Sequence, residues 1–88
     1  MFTVYALYSP TYNKIYIGYT SDLPNRLLTH NELATKGHTI KYRPWIIAYT
    51  EEYQTKSEAI KREDQLKSGN GRKFIWNIIH KKFGSSDG

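Results

Sequence analysis

The sequence predicts an α+β domain, a small three-stranded antiparallel β-sheet flanked by helices in the order ββαβαα. Three observations predict it. Three short segments are crowded with β-branched and aromatic residues, turn-forming residues separate the first two, and the remaining stretches open on helix-capping residues.

Phe2 to Tyr8 (FTVYALY) and Lys14 to Thr20 (KIYIGYT) read as strands. Between them, Ser9-Pro10-Thr11-Tyr12-Asn13 is turn chemistry, so the two strands pair as a hairpin. A helix follows, with Ser21 as N-cap, Asp22 at its positive end and Pro24 in its first turn, running to about Leu33. Ala34 to Tyr42 (ATKGHTIKY) is polar and basic and reads as an exposed loop. Arg43 to Tyr53 reads as the third strand, centred on Trp45 to Tyr49. Thr55-Lys56-Ser57-Glu58 is a capping box that opens a second helix, which reaches about Lys67 and stops at a turn, Ser68-Gly69-Asn70-Gly71. The third helix, Arg72 to about Phe83, carries Phe74, Ile75, Ile78 and Ile79 on an apolar face, with Trp76 beside it. Gly84 to Gly88 is small and polar. The expected organisation is one domain over residues 1–83 and a flexible tail over 84–88.

Composition removes several chemistries. The chain has no cysteine, which excludes disulfides, thiolate zinc sites and a cysteine nucleophile. No apolar run approaches the ~20 residues that span a bilayer, and Met1 to Leu7 lacks the basic and apolar regions of a secretory signal. The expectation is a cytoplasmic protein with no membrane partner. Thirteen Lys and Arg against eight Asp and Glu give a net charge of +5, which suits a polyanionic partner, with a merely soluble basic domain an equal alternative on charge alone. Eight tyrosines are more than so small a core needs, so some are free to serve a site.

Three local patterns stand apart from ordinary packing. On the second helix, Ala59, Ile60 and Leu66 fall at about 0°, 100° and −20° and define a buried stripe, and Glu63 falls at ~40° inside it. A carboxylate there needs a cation, a metal or several donors, so Glu63 is either half of a structural ion pair or part of a site. On the first helix, Arg26 and His30 are neighbours four residues apart along one edge of the Leu23 and Leu27 face. Two cationic-capable groups side by side suit an anion such as phosphate; the alternative is a snorkelling arginine beside a capping histidine. In the hairpin, a loop of even length puts Tyr5 and Tyr16 on one sheet face, and Gly18 on that face leaves room for a ring or a substrate backbone. Together these are parts for metal-assisted phosphodiester hydrolysis.

With those residues in view, Thr3-Val4-Tyr5 followed by Tyr16-Ile17-Gly18 resembles the paired motifs of the GIY-YIG nucleases. The run from Tyr16 to His30 is similar to the family pattern YIG-x-T-x-x-L-x-x-R-x-x-x-H, and Lys56 to Lys67 resembles the segment bearing the family's metal-binding glutamate. The likeness spans roughly Phe2 to Ile79 and is closest to compact bacterial members. It implies an endonuclease that hydrolyses DNA phosphodiester bonds with one divalent ion, Mg2+ or Mn2+, in the setting of DNA repair or recombination. It implies that Tyr16 activates the attacking water, that Tyr5 helps place it, that Arg26 contacts the phosphate, that His30 supports the site and that Glu63 holds the metal. Asn77 matches a late asparagine of some members. The first motif departs from Gly-Ile-Tyr but keeps its tyrosine, and Tyr19 stands where some relatives have lysine.

Further backbone contacts are expected from Lys36, His38, Lys41 and Arg43 before the third strand and from Arg72 and Lys73 at the start of the third helix. A catalytically silent nucleic-acid-binding module of the same fold is the rival reading, and an adaptor with an ordinary ion pair at Glu63 a second. Whether RNA replaces DNA, and whether a protein partner or a homodimer forms, stay open at this stage.

Overall fold

The computed structural model describes residues 1–84 of the 88-residue chain, so the expected tail lies, beyond Gly84, outside the described residues. Three strands, β1 (Phe2–Ser9), β2 (Lys14–Thr20) and β3 (Ile46–Tyr53), form an antiparallel sheet in the order β2-β1-β3. The hairpin turn closes through Asn13 at φ 55°, a left-handed conformation that asparagine tolerates well. As the central strand, β1 is covered on both sides, and Val4, Tyr5, Ala6 and Leu7 are all fully buried.

Strand alternation then divides the molecule. Val4 and Ala6, with Ile15, Ile17 and Ala48, face a layer made by α2 (Lys56–Lys67) and α3 (Gly69–Phe83), where Ala59, Leu66, Ile75 and Ile79 complete the main core. Tyr5 and Leu7 face the other way with Trp45, against Leu23 and Leu27 of α1 (Leu23–Leu28). The order ββαβαα and the α+β class are as the sequence predicts.

Several details differ from the expectation. Asp22, not Ser21, caps α1, accepting from the Asn25 amide at 3.2 Å. The Thr20 hydroxyl accepts the Asp22 amide at 3.0 Å, which holds the chain out of the helix for one more residue. The helical path continues through a π-helical turn, Thr29–Leu33, to the expected end. The stretch read as an exposed loop contains a 3-10 turn, His38–Tyr42, with Thr39 buried and its carbonyl accepting from Trp45 Nε1 at 2.9 Å.

β3 begins at Ile46 rather than Arg43 because the preceding residues bond to α1 and its extension instead of the sheet. Arg43 donates to the carbonyls of His30 (2.6 Å), Ala34 (2.9 Å) and Thr29 (3.3 Å), while the Asn31 amide side chain exchanges two hydrogen bonds with the Trp45 backbone.

The capping box at Thr55 and Glu58 is present. Ile60 is an exception to the expected stripe: at 38% exposure it lies outside the contact, which Ala59 and Leu66 alone fill. Ser68 ends α2 and at once caps α3, so α3 starts at Gly69, before the expected Arg72. Gly71 serves the crossing rather than a turn, since any Cβ there would overlap the Gln65 carbonyl and the Leu66 backbone. A cluster unseen in the sequence ties α2 to the sheet. The Glu51 carboxylate accepts from Arg62 Nε (2.8 Å) and Nη2 (3.0 Å), from the Tyr53 hydroxyl (2.6 Å) and from the Tyr49 hydroxyl. Phe74, expected in the core, is instead 41% exposed, with the Arg62 guanidinium over its ring.

Candidate active site

Pairing of β1 with β2 sets Tyr5 opposite Gly18 and Leu7 opposite Tyr16. Directly opposed residues share a face, so Tyr5, Tyr16 and Gly18 all point to the α1 side, as the even loop predicts. The bare Gly18 backbone is what lets Tyr5 lie flat across β2: a Cβ on residue 18 would sit 2.7 Å from the Tyr5 hydroxyl. The Tyr5 and Tyr16 rings are 6.3 Å apart.

Arg26 and His30 reach the same place from one edge of the helix. The Tyr5 hydroxyl lies 3.1 Å from His30 Nε2 and accepts from Arg26 Nε at 3.5 Å. The His30 ring is 4.8 Å from that of Tyr16, and its Nδ1 is 3.0 Å from the Thr39 hydroxyl. Burial pushes the His30 imidazole below its ordinary value of 6.5, and the charges of Arg26 and Arg43 push it further, so it is neutral at physiological pH. Burial raises the Tyr5 phenol, against the Arg26 hydrogen bond that lowers it, and Tyr5 keeps its proton. The hydrogen bond to Tyr5 raises Arg26 in turn, so the guanidinium stays charged.

A neutral imidazole has one donor and one acceptor. Arg26 donates to the Tyr5 hydroxyl, and among the described residues His30 Nε2 is the acceptor within reach of the Tyr5 proton. Hydrogen-bond logic then assigns the Nδ1–H tautomer to His30, donating to Thr39. The chain Arg26–Tyr5–His30–Thr39 is therefore satisfied end to end. Thr39 and Arg43 support the histidine from a segment without hydrophobic periodicity, so no sequence signal marked either for that role.

Above this chain opens a cleft of about 290 Å³, lined by Tyr16, Arg26 and His30 and, from the 3-10 side, by Lys36, His38 and Thr39. Tyr5 is fully buried behind Arg26 and His30 and does not itself line the cleft. The family model described as the GIY-YIG catalytic domain matches residues 1–77. The chain belongs to the GIY-YIG family. It is similar to curated UPF0213 proteins of Staphylococcus haemolyticus (38% identity over 56 residues, 64% of this chain and 68% of that protein) and Bacillus velezensis (42% over 55 residues, 62% and 56%). A third, from Staphylococcus saprophyticus, is 37% identical over 61 residues, 69% of this chain and 74% of its own length.

Within this GIY-YIG domain the remaining site candidates divide. Glu63 stands on α2 with its side chain 16% exposed, close enough to Tyr5 to help hold the phenol protonated, and pairs with Lys67 Nζ at 3.2 Å. Lys41 is exposed on the 3-10 turn, outside the cleft wall. Arg43 faces inward as the carbonyl clamp described above. Arg72, Lys73 and Asn77 are exposed on α3, which packs on the opposite face of the sheet. Among the described residues no group of three or more His, Asp or Glu is arranged to hold an ion, and no helix is long and apolar enough to cross a membrane.

Glu63, the carboxylate that the family resemblance offers to a divalent ion, is outside the residues lining the cleft and would be a single protein ligand. That donor set fits a hard cation which keeps most of its waters and uses substrate oxygens, as magnesium does, and does not fit a dehydrated cage site.

Proposed function

We propose that this GIY-YIG domain is a metal-dependent endonuclease that hydrolyses phosphodiester bonds of DNA, acting within the cytoplasm in repair or recombination. The observation that carries the reading is the convergence of Tyr16, Arg26 and His30 on one cleft above Tyr5, with Glu63 in electrostatic reach of the same phenol. Family membership supports it.

Glu63 would hold Mg2+ or Mn2+, which when bound supplies Lewis acidity to the phosphoryl group and its departing oxygen. The protein's own groups do the rest. Arg26 spends Nε on Tyr5 and keeps its terminal nitrogens for the equatorial phosphate oxygens, where negative charge builds in the transition state. Tyr16 borders the cleft and, as its phenolate with the positive charge of Arg26 and the bound metal nearby, would take the proton of the attacking water to become the neutral phenol. Tyr5 keeps its own proton, so its part is to fix Arg26 and His30 rather than to act as base. Lys36 and His38 on the rim bind flanking phosphates with little sequence preference.

One observation favours a catalytically silent binding module instead: Glu63 already has a cation in Lys67. A nicking assay over single-stranded, nicked, flapped and branched DNA, with and without magnesium or manganese, separates the two. The wild type should cut only with metal. Tyr16→Phe should lower the rate by at least about 100-fold, and Glu63→Ala should abolish cutting while leaving salt-sensitive binding intact. Cutting that survives Glu63→Ala overturns the metal role of Glu63, and an inert wild type on every substrate overturns the nuclease reading.

A further inference from the structure

Beside the cleft lies an aromatic and basic patch of which the reading above uses only His38. Tyr12, at the tip of the hairpin, is 49% exposed. Its ring stands edge-on to Tyr42 at 5.5 Å, and Tyr42 leans on the buried Trp45 at 6.3 Å. The exposed His38 ring lies 5.1 Å from Tyr42, and the ammonium of the exposed Lys14 is 5.6 Å from the Tyr42 centroid. The hairpin tip, the start of β2 and the 3-10 turn thus bring two solvent-facing rings and a cation to one place. Burial does not account for a tyrosine half open to water at a turn tip.

We infer that Tyr12, Tyr42 and His38, with Lys14, form a stacking platform for an unpaired nucleotide next to the scissile linkage. The substrate class is then nucleic acid with unpaired bases, such as single strands, overhangs and flaps, rather than continuous duplex. The inference rests on the cleft being a nucleic-acid site. His38 belongs to both the platform and the cleft wall, so a strand whose phosphate lies at Arg26 brings a neighbouring base over the rings. Inside a duplex both faces of a base are already covered, and only an unpaired base offers a face to an aromatic ring. The pairing of exposed rings with Lys14 is the combination that single-strand binding requires: stacking for the base and charge for the backbone.

The test is equilibrium binding by fluorescence anisotropy, with the full chain in EDTA so that no cutting occurs. The probes are a labelled dT oligomer of roughly a dozen nucleotides, an rU oligomer of equal length and a blunt hairpin duplex. Tyr12→Ala should weaken dT or rU binding about tenfold while leaving duplex binding within about twofold. Tyr12→Trp should restore it. Lys14→Gln should lower the salt dependence of single-strand binding by somewhat under one unit of slope, which Tyr12→Ala should not. The stronger of the dT and rU effects identifies the sugar.

Tyr12 is half exposed, so equal melting temperatures of Tyr12→Ala and wild type are expected and exclude unfolding as the cause. Unchanged single-strand affinity in Tyr12→Ala, or an equal loss on duplex, overturns the platform. A chain that cuts yet ignores Tyr12 removes this inference alone, and one that binds through Tyr12 but never cuts removes only the nuclease reading.

Discussion

Gly18→Ala is the sharpest perturbation of the site, because it adds one methyl group where the structure has no room. That methyl would lie 2.7 Å from the Tyr5 hydroxyl, 2.9 Å from its Cζ and 3.3 Å from Tyr16 Cε2. To regain an ordinary contact of 3.4 Å the hydroxyl must retreat by about 0.7 Å. Tyr5 is fully buried on the central strand, packed among Leu7, Trp45 and Tyr16, so it cannot swing out to solvent. Overpacking of this kind costs about 1–3 kcal/mol. In a domain of this size that is a fall in Tm of roughly 5–15 °C. The same retreat breaks the contacts to His30 and Arg26, and a misplacement near 1 Å is worth about 100-fold in rate. Thermal melts and single-turnover nicking measure the two effects separately. A double-mutant cycle isolates the cause. In a Tyr5→Phe background the nearest clashing atom is gone, and Gly18→Ala should cost about 1 kcal/mol less. Equal costs in both backgrounds, or a Gly18→Ala protein that melts and cuts like wild type, would refute the packing argument.

Arg43→Met keeps the aliphatic stem but strands the His30 and Ala34 carbonyls, while that of Thr29 keeps the Ala34 amide, and should lose about 2–4 kcal/mol in urea unfolding; a loss under about 1 kcal/mol would show the clamp to be idle. Burial raises the Glu51 carboxyl, but hydrogen bonds from Arg62, Tyr49 and Tyr53 outweigh it and hold the group below its usual value of 4.5. Its contribution is therefore complete above the unfolded value and fades as pH falls through the lower folded one. Glu51→Gln should flatten the dependence of Tm on pH between about 5 and 3, and a parallel curve would count against the cluster. His30 has the opposite character, since its folded value lies below 6.5 and the unfolded chain takes the proton first. Stability is intact above about pH 6.5 and drops as the solution is acidified, so wild type should lose more Tm than His30→Gln between about pH 7.5 and 5.5.

Much of the site was legible because it rests on short-range periodicity. The two-residue repeat of a strand and an even loop bring Tyr5, Tyr16 and Gly18 to one face, and the four-residue spacing on a helix joins Arg26 to His30. What escaped was tertiary. Thr39 acts through its hydroxyl and Arg43 through three carbonyls, both reaching residues far back in the chain, and a polar residue looks the same in the sequence whether it is solvated or buried. Glu51 and Arg62 are eleven residues apart on different elements, which no local pattern links. Ile60 was misplaced because a helical wheel gives direction but not the width of the contact, and α2 meets the sheet on a narrow strip. The α2–α3 boundary failed for a related reason: Gly71 resembles turn chemistry, although its small size serves the crossing of two helices.

The two tyrosines carry similar motif positions, yet the fold gives them different capacities, and the difference follows from strand order. β1 is central, so any phenol in its middle is covered on both faces; desolvation then favours the neutral form, and the Tyr5 hydroxyl is enclosed by Arg26, His30 and the Gly18 backbone. β2 is an edge strand, and Tyr16, two residues from Gly18 on the same face, is only half-buried and opens on the cleft. A proton acceptor must exchange with solvent or substrate, whereas a positioning group gains from burial because its hydrogen bonds strengthen as water is excluded. Under the proposed function, proton transfer would fall to the edge strand and alignment to the central one. Loss of the Tyr5 hydroxyl should disturb the placement of Arg26, whereas loss of the Tyr16 hydroxyl should act on the chemical step.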